Sequence, residues 1–112
     1  MWRPLNGPVE DHPMTVCDGR NINTSNLVKS DMIRGDYTGS LLYPLYEPKK
    51  ACQWYYMSKQ DVEDVLLFKS FDSKEGSVKH APHTSFALPN APDNVCPRIS
   101  VEVRALVFTP ST

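Results

Sequence analysis

Prolines are spread along the whole chain, and they constrain the fold more than any other feature of the sequence. There are ten of them in 112 residues. A proline inside a helix removes a backbone hydrogen bond and clashes with the preceding turn. No convincing helix longer than a turn or two fits between them, and the apolar runs are short and separated by turn residues. The sequence therefore predicts a mainly β protein, an all-β sandwich or jelly roll.

Short segments rich in aromatic and aliphatic residues predict the strands. The clearest is RISVEVRALVF, residues 98–108, in which apolar and polar residues alternate with a period of two, as in a strand with one apolar and one polar face. The other predicted strands are a hairpin of residues 41–46 and 52–57 around the turn EPKKA, a buried strand over 65–71, and a short strand, HTSFAL, over 83–88. Ser58 and Asp61 are spaced as a helix cap and predict one helical turn at most.

The first 40 residues differ from the rest in composition. They are dense in Pro, Asn, Asp and Gly and contain only brief apolar runs, a composition typical of turns and loops. We expect a loop-rich arm with one short strand over residues 1–40, followed by part of a jelly roll over residues 41–112. The two parts together are expected to form a single domain, because the arm is too poor in apolar residues to fold alone.

Charge and composition exclude several classes of function. The formal net charge is −1, and acidic residues lie between the basic ones, so no basic stripe for nucleic acid is expected. No stretch approaches the roughly 18 apolar residues of a membrane span. The N-terminus lacks an apolar segment of signal-peptide length. The sequence predicts a soluble, cytoplasmic protein. The three cysteines are widely spaced, and we expect them to be reduced thiols.

Three polar residues in the last third of the chain are candidates for a binding site. His83 follows Pro82, which favours extended backbone, so its imidazole points in a defined direction near the start of a strand. Such a histidine can hold a metal or make a hydrogen bond at a strand end. Arg98 and Ser100 are two positions apart and share one strand face, where a guanidinium and a hydroxyl can hold a carboxylate. The same face can also simply be solvated.

Other constellations have less support. His80 and His83 form an HxxH pattern, but Pro82 between them prevents helical spacing, so a zinc site with Cys96 is not expected. His12 is expected to be exposed in the arm. No serine lies in a G-x-S-x-G segment, and no cysteine has a histidine close in sequence, so nucleophilic catalysis has little basis.

Several longer segments of the sequence resemble those of one known family. These segments are WRPLNGPVEDHPMTVCDGR, DYTGSLLYPLYEP, WYYMSKQDVEDVLLFKSFDS, APHTSF and PRISVEVRALVF. Together they resemble the asaB-type hydroxylase/desaturase family of fungal secondary metabolism. That family is grouped with gibberellin-desaturase-like proteins and with the cephalosporin 7α-methoxylase component.

The resemblance implies a fold, a chemistry and a set of site residues. The fold would be part of a double-stranded β-helix, and the activity would be that of an iron(II)- and 2-oxoglutarate-dependent oxidoreductase acting on a small molecule. Iron would be held by two histidines and one carboxylate, with open positions for cosubstrate and oxygen. By the resemblance, His83 would be one iron ligand, and Arg98 and Ser100 would bind the far carboxylate of 2-oxoglutarate.

The resemblance covers only the C-terminal part of the longer family members. Their His-x-Asp/Glu motif, which supplies the other two iron ligands, is expected before residue 1, so this chain would hold one predicted ligand of three. A single imidazole binds iron(II) weakly, because affinity comes from several placed ligands. Uncovered strands also favour self-association or pairing with a full-length partner. The alternative to an oxidoreductase is a non-catalytic partner, or a truncated or decayed family member, without a complete metal site.

Overall fold

The computed structural model describes residues 1–46 and 52–110. Strands form most of the regular structure there, and the only helices among these residues are two single 3₁₀ turns. The strands are β1 (Trp2–Pro4), β2 (Met14–Cys17), β3 (Leu27–Arg34), β4 (Tyr37–Pro44), β5 (Trp54–Tyr56), β6 (His83–Ser85) and β7 (Ser100–Glu102), and the 3₁₀ turns are Gly19–Asn21 and Thr24–Asn26. The mainly β class predicted from the sequence is confirmed. No helix in the described part of the chain has the length and apolar character needed to span a membrane.

The strands form three small antiparallel sheets. One has three strands in the order β5-β2-β6, and the others are the pairs β1-β7 and β3-β4. In the β1-β7 pair, Trp2 faces Glu102 and Pro4 faces Ser100, so the two ends of the chain are joined. Trp2 also pairs with Leu66 through two backbone hydrogen bonds of 2.9 Å. The start of the chain is therefore held between its middle and its end.

The buried apolar side chains of the described residues lie in the first 17 residues. They are the apolar residues Trp2, Pro4, Val9, Pro13, Met14 and Cys17. Residues 1–40, expected to be a loop-rich arm with one short strand, therefore contain more regular structure than expected: β1 to β3, the first half of β4 and the buried apolar residues. The reason is that β1 and β2 have only three and four residues. Strands this short show no period of two, and partners distant in sequence stabilise them.

The hairpin predicted around EPKKA is also wrong. Residues 37–44 form β4, which pairs with β3 over eight residue pairs, whereas β5 pairs with β2. The turn between β3 and β4 is Gly35-Asp36, where Gly35 has φ +57°. Positive φ at only the first turn residue is the arrangement of a type II′ hairpin, which favours glycine there. The EPKKA segment itself, residues 47–51, lies outside the described residues.

The apolar run over residues 65–71 is not a buried strand. Only Leu66 forms a bridge, and Leu67 and Phe71 are 74% and 70% exposed. No helix forms at Ser58, where the sequence predicted one helical turn at most. The backbone N–H of Asp61 instead donates to the Asp64 carboxylate at 2.9 Å, which closes a turn. The expectation of a buried strand failed because local sequence cannot show which neighbours cover a segment.

The two C-terminal strands were predicted at the right places but too long. The strand expected over 83–88 is confirmed for residues 83–85, and that over 98–108 for residues 100–102. The expected apolar face of the second strand, represented by Ile99 and Val103, is about half exposed. The polar face with Arg98 and Ser100 is half-buried, because it lies on the side of Trp2 and Pro4.

Candidate functional site

His83 is the first residue of β6, at the edge of the three-stranded sheet. In the sheet register Val16 is the partner of both His83 and Tyr55. Paired residues of antiparallel strands project to the same face, so these three side chains lie side by side across β6, β2 and β5. The position is fixed by backbone pairing and not by a helix, as the Pro82-His83 dipeptide predicts.

Two contacts orient the His83 imidazole. Its Nδ1 lies 3.0 Å from the carbonyl oxygen of Ala81. A carbonyl only accepts hydrogen bonds, so this contact favours the tautomer in which Nδ1 carries the proton and Nε2 keeps a free lone pair. The Phe68 ring packs against the imidazole with centroids 4.3 Å apart. The half-buried ring therefore presents Nε2, the nitrogen that a metal would take.

A mostly apolar cavity lies beside the two cross-strand neighbours of His83. Its volume is about 400 Å³, which falls in the range of small-molecule sites. The lining residues include Met14, Val16, Tyr55, Met57, Val65 and Leu66. Val16 and Tyr55 thus connect the cavity to the sheet face that carries His83.

Arg98 is held just before β7 by the loop at residues 11 and 12. Its backbone N–H donates to the Asp11 carboxylate at 3.0 Å, and its Nη1 donates to the carbonyl oxygen of His12 at 2.7 Å. The guanidinium carbon lies 5.3 Å from the centroid of the Trp2 ring, close enough for a cation–π contact. The guanidinium is thus oriented by a carbonyl and a ring, neither of which neutralises its charge.

The charge of Arg98 is left without a carboxylate partner in the part of the chain that the structure describes. Arg104 differs, since its Nε bonds the Glu102 carboxylate at 3.0 Å on the exposed surface. A guanidinium has five N–H donors, and the bond to His12 occupies one. Arg98 therefore keeps donors for an anion, and the solvated-face interpretation fits Arg104 better than Arg98.

Asp11 is the anion nearest to the Arg98 backbone. Burial acts to raise the pKa of Asp11, but hydrogen bonds from the backbone of Arg98 and from His12 outweigh it, so the pKa is lowered. The side chain of Asp11 is only 14% exposed. An ionised Asp11 thus fixes the backbone at residue 98 while leaving the guanidinium free.

Ser100 is the first residue of β7 and is half-buried. It lies two positions after Arg98, which places both side chains on the same face of the strand. Among the described residues its hydroxyl has no hydrogen-bond partner, and it is not sealed from solvent. Arg98 and Ser100 therefore form an uncommitted donor pair suited to a carboxylate.

The structure links the two halves of the candidate site through residues that the sequence did not single out. Trp2 contacts the Arg98 guanidinium and pairs with Leu66. Two residues further on, Phe68 packs on His83. Both are apolar residues, and nothing in the local sequence shows that they connect distant segments.

The other histidines do not join the site. His80 Nδ1 is 3.1 Å from the carbonyl oxygen of Ser70, and the His12 ring lies beside the Asp11 carboxylate. Within residues 1–46 and 52–110, no group of three or more His, Cys, Asp or Glu side chains is placed to hold a metal ion. These residues fit a carboxylate at Arg98 and Ser100, but they do not fit a complete iron site.

Comparison with known proteins gives a consistent family. A family model described as "Oxidoreductase/YMDC permease-like domain" matches residues 1–108. The chain is 35% identical to aspirochlorine biosynthesis protein N of Aspergillus oryzae, over 96% of this chain and 46% of that protein. It is 34% identical to the hydroxylase/desaturase asaB of Aspergillus flavus, over 96% of this chain and 53% of that protein. The chain therefore spans about half the length of these curated relatives.

A solved structure gives the fold. The iron and alpha-ketoglutarate-dependent endoperoxidase NvfI superposes with a TM-score of 0.73 at 34% identity, over 88% of this chain and 37% of that one. The protein is thus a mainly β chain with the strands of a partial jelly roll. More specifically, it belongs to the asaB-type hydroxylase/desaturase family of oxidoreductases, as its sequence segments indicate.

Proposed function

We propose that the chain forms part of an iron(II)- and 2-oxoglutarate-dependent oxidoreductase that hydroxylates or desaturates a small molecule in fungal secondary metabolism. The names of the relatives support this, since they include an Fe(II)/2-oxoglutarate-dependent dioxygenase and several hydroxylase/desaturases. The observation that carries the proposal is the Arg98 guanidinium, which has no carboxylate partner among the described residues and shares its strand face with Ser100, two positions further on. A cytoplasmic location stays a prediction from the sequence.

The residues of the candidate site have different roles in the proposed activity. Arg98 donates two N–H groups to the far carboxylate of 2-oxoglutarate, and Ser100 donates a third hydrogen bond. Trp2 and the carbonyl of His12 hold the guanidinium in place before the ligand arrives, which lowers the entropy cost of binding. His83 offers Nε2 as one metal ligand.

Among the described residues, His83 belongs to no group of three or more side chains that could hold a metal ion. We therefore propose that another polypeptide segment completes the site, either upstream in the same protein, from a second copy of this chain, or from a full-length partner. The support is that the chain covers 39–53% of its first three relatives. Large apolar side chains such as Ile33, Tyr43 and Phe108 are also more than half exposed, as expected of surfaces that another segment covers.

Calorimetric titration of the chain with 2-oxoglutarate tests the carboxylate site. A hydrogen bond to a charged group contributes about 1.5–3 kcal/mol, so Arg98→Ala should weaken binding roughly 10- to 100-fold. Arg104→Ala is the matched control, because that arginine is exposed and already paired. The affinity of this variant for 2-oxoglutarate should equal that of the wild-type chain. Equal affinities in both variants, or no binding by the wild-type chain, would contradict the assignment.

A non-catalytic carboxylate-binding module is the second candidate, favoured by the absence of a three-ligand group among the described residues. Anaerobic titration with iron(II) and 2-oxoglutarate, followed by the visible charge-transfer band, separates the two. The oxidoreductase proposal expects a saturable band that His83→Ala abolishes. The control His80→Ala should keep the band, since His80 only contacts the Ser70 carbonyl. No band in the wild type would exclude completion of the iron site by a second copy of this chain, and would leave the binding module or a site completed by a different polypeptide segment.

A further inference from the structure

Two of the three cysteines lie close together where the ladder between β2 and β5 ends. Cys17 is the last residue of β2 and pairs with Trp54. The ladder continues for one more step, because the Asp18 N–H donates to the Gln53 carbonyl at 2.9 Å. Cys52 is therefore the diagonal neighbour of Cys17, on the same side of the ladder. The Cys52 thiol is also close enough to the Cys17 thiol to raise its pKa.

The two thiols differ in access to solvent. Cys17 is 3% exposed, whereas Cys52 is half-buried and Cys96 is exposed. Burial first, and then the contact and charge of Cys52, raise the pKa of Cys17 to about 12. Cys17 is thus a poor nucleophile while both thiols are free, because the thiolate is the reactive form. Of this pair, a soluble oxidant reaches Cys52 before Cys17.

We propose that Cys17 and Cys52 are a modification site that forms a reversible disulfide with a small-molecule disulfide of the glutathione class as the oxidant. The Cys52 thiolate attacks one glutathione sulfur, which forms a mixed disulfide and releases one glutathione thiolate. Cys17 loses its proton to solvent and attacks the Cys52 sulfur, which releases the second glutathione. The two protein thiols are oxidised and one glutathione disulfide is reduced to two thiols.

The diagonal placement of the two cysteines on one side of the ladder explains why the second step follows the first. In the mixed disulfide Cys52 no longer has a thiol group, so its contribution to the raised pKa of Cys17 is removed and only burial and Asp18 still raise that pKa. The attacking and attacked sulfurs are already neighbours, so no large loop has to close. A glutathione on Cys52 is therefore expected to be displaced rather than to accumulate.

The cross-link would join the segment just before β5 to the end of β2, and it would close a loop that contains the whole β3-β4 hairpin. Such a closed loop restricts the unfolded chain more than the folded one. The middle strand β2 also carries Val16, the partner of His83. Oxidation should therefore raise the thermal midpoint by several degrees and hold the sheet beneath the His83 face.

The test uses the full chain and its Cys96→Ser variant, in which the pair is the sole thiol source. After equilibration with oxidised glutathione, non-reducing mass spectrometry of the monomer should show the loss of two hydrogens, and peptide mapping should join residue 17 to residue 52. Reducing agent should reverse both the mass and the rise in thermal midpoint. Cys52→Ser, a change at an accessible position, should show neither effect.

Two results would overturn the proposal. One is a stable glutathione adduct on Cys52 with Cys17 still reduced after equilibration. The other is a disulfide that joins Cys96 to either partner in the wild type while the Cys96→Ser variant remains fully reduced. Because the readout is a mass and a map, the result is independent of whether 2-oxoglutarate binds.

Discussion

Trp2 should be among the side chains on which stability depends most, although it is the second residue of the chain. It is 3% exposed, it pairs with both β7 and Leu66, and it contacts the Arg98 guanidinium. Removing a buried aromatic side chain typically costs about 3–5 kcal/mol. Small proteins have free energies of unfolding near the low end of about 5–15 kcal/mol. Trp2→Ala should therefore remove much of the stability of the chain.

Urea unfolding followed by far-UV circular dichroism measures this effect. Trp54→Ala is the matched control, because it removes the other tryptophan at a position that is 42% exposed, where the loss should stay below about 1.5 kcal/mol. Trp2→Phe keeps an aromatic ring and should retain a folded chain if the alanine variant does not fold. The reasoning is refuted if Trp2→Ala and Trp54→Ala lower the free energy of unfolding equally.

Two further predictions concern Asp11 and Gly35. The folded-state pKa of Asp11 is lowered, so its stabilising contribution is present above the unfolded value of about 3.9 and is lost as the pH falls through the lower folded value. Asp11→Asn should therefore be less stable than wild type at about pH 6, and the difference in urea midpoint should shrink below about pH 4; a constant difference would contradict the assigned pKa. Gly35 has φ +57° and open space around it, so Gly35→Ala should cost about 1–2 kcal/mol from backbone conformation alone, and Gly35→Asn should cost less. Thermal unfolding measures both variants, and an equal loss in the two would show that the left-handed backbone is not the cause.

The sequence predicts this fold well at the level of class and poorly at the level of strand pairing. Ten prolines exclude long helices, and that exclusion needs no knowledge of contacts. Pairing depends instead on partners that are distant in the chain, as when Trp2 faces Glu102. The Arg-Gly-Asp-Tyr turn of the β3-β4 hairpin could have been predicted from the sequence, because Gly35 stands at the position where a type II′ turn favours glycine. Its flanking residues are polar enough that the segment resembles a loop.

The residues of the candidate site also differ in whether the sequence alone could identify them. His83, Arg98 and Ser100 are chemically distinctive, so residue type and spacing are enough to select them, and the structure places each on or next to a short strand. Trp2, Phe68 and Asp11 are ordinary residues by type, and they matter only through what they contact. Trp2 holds the guanidinium, Phe68 holds the imidazole, and the Trp2–Leu66 bridge joins the two. A substitution at Trp2 should therefore alter the carboxylate site as well as stability, so 2-oxoglutarate affinity in Trp2→Phe should fall while that of Trp54→Ala stays at the wild-type value.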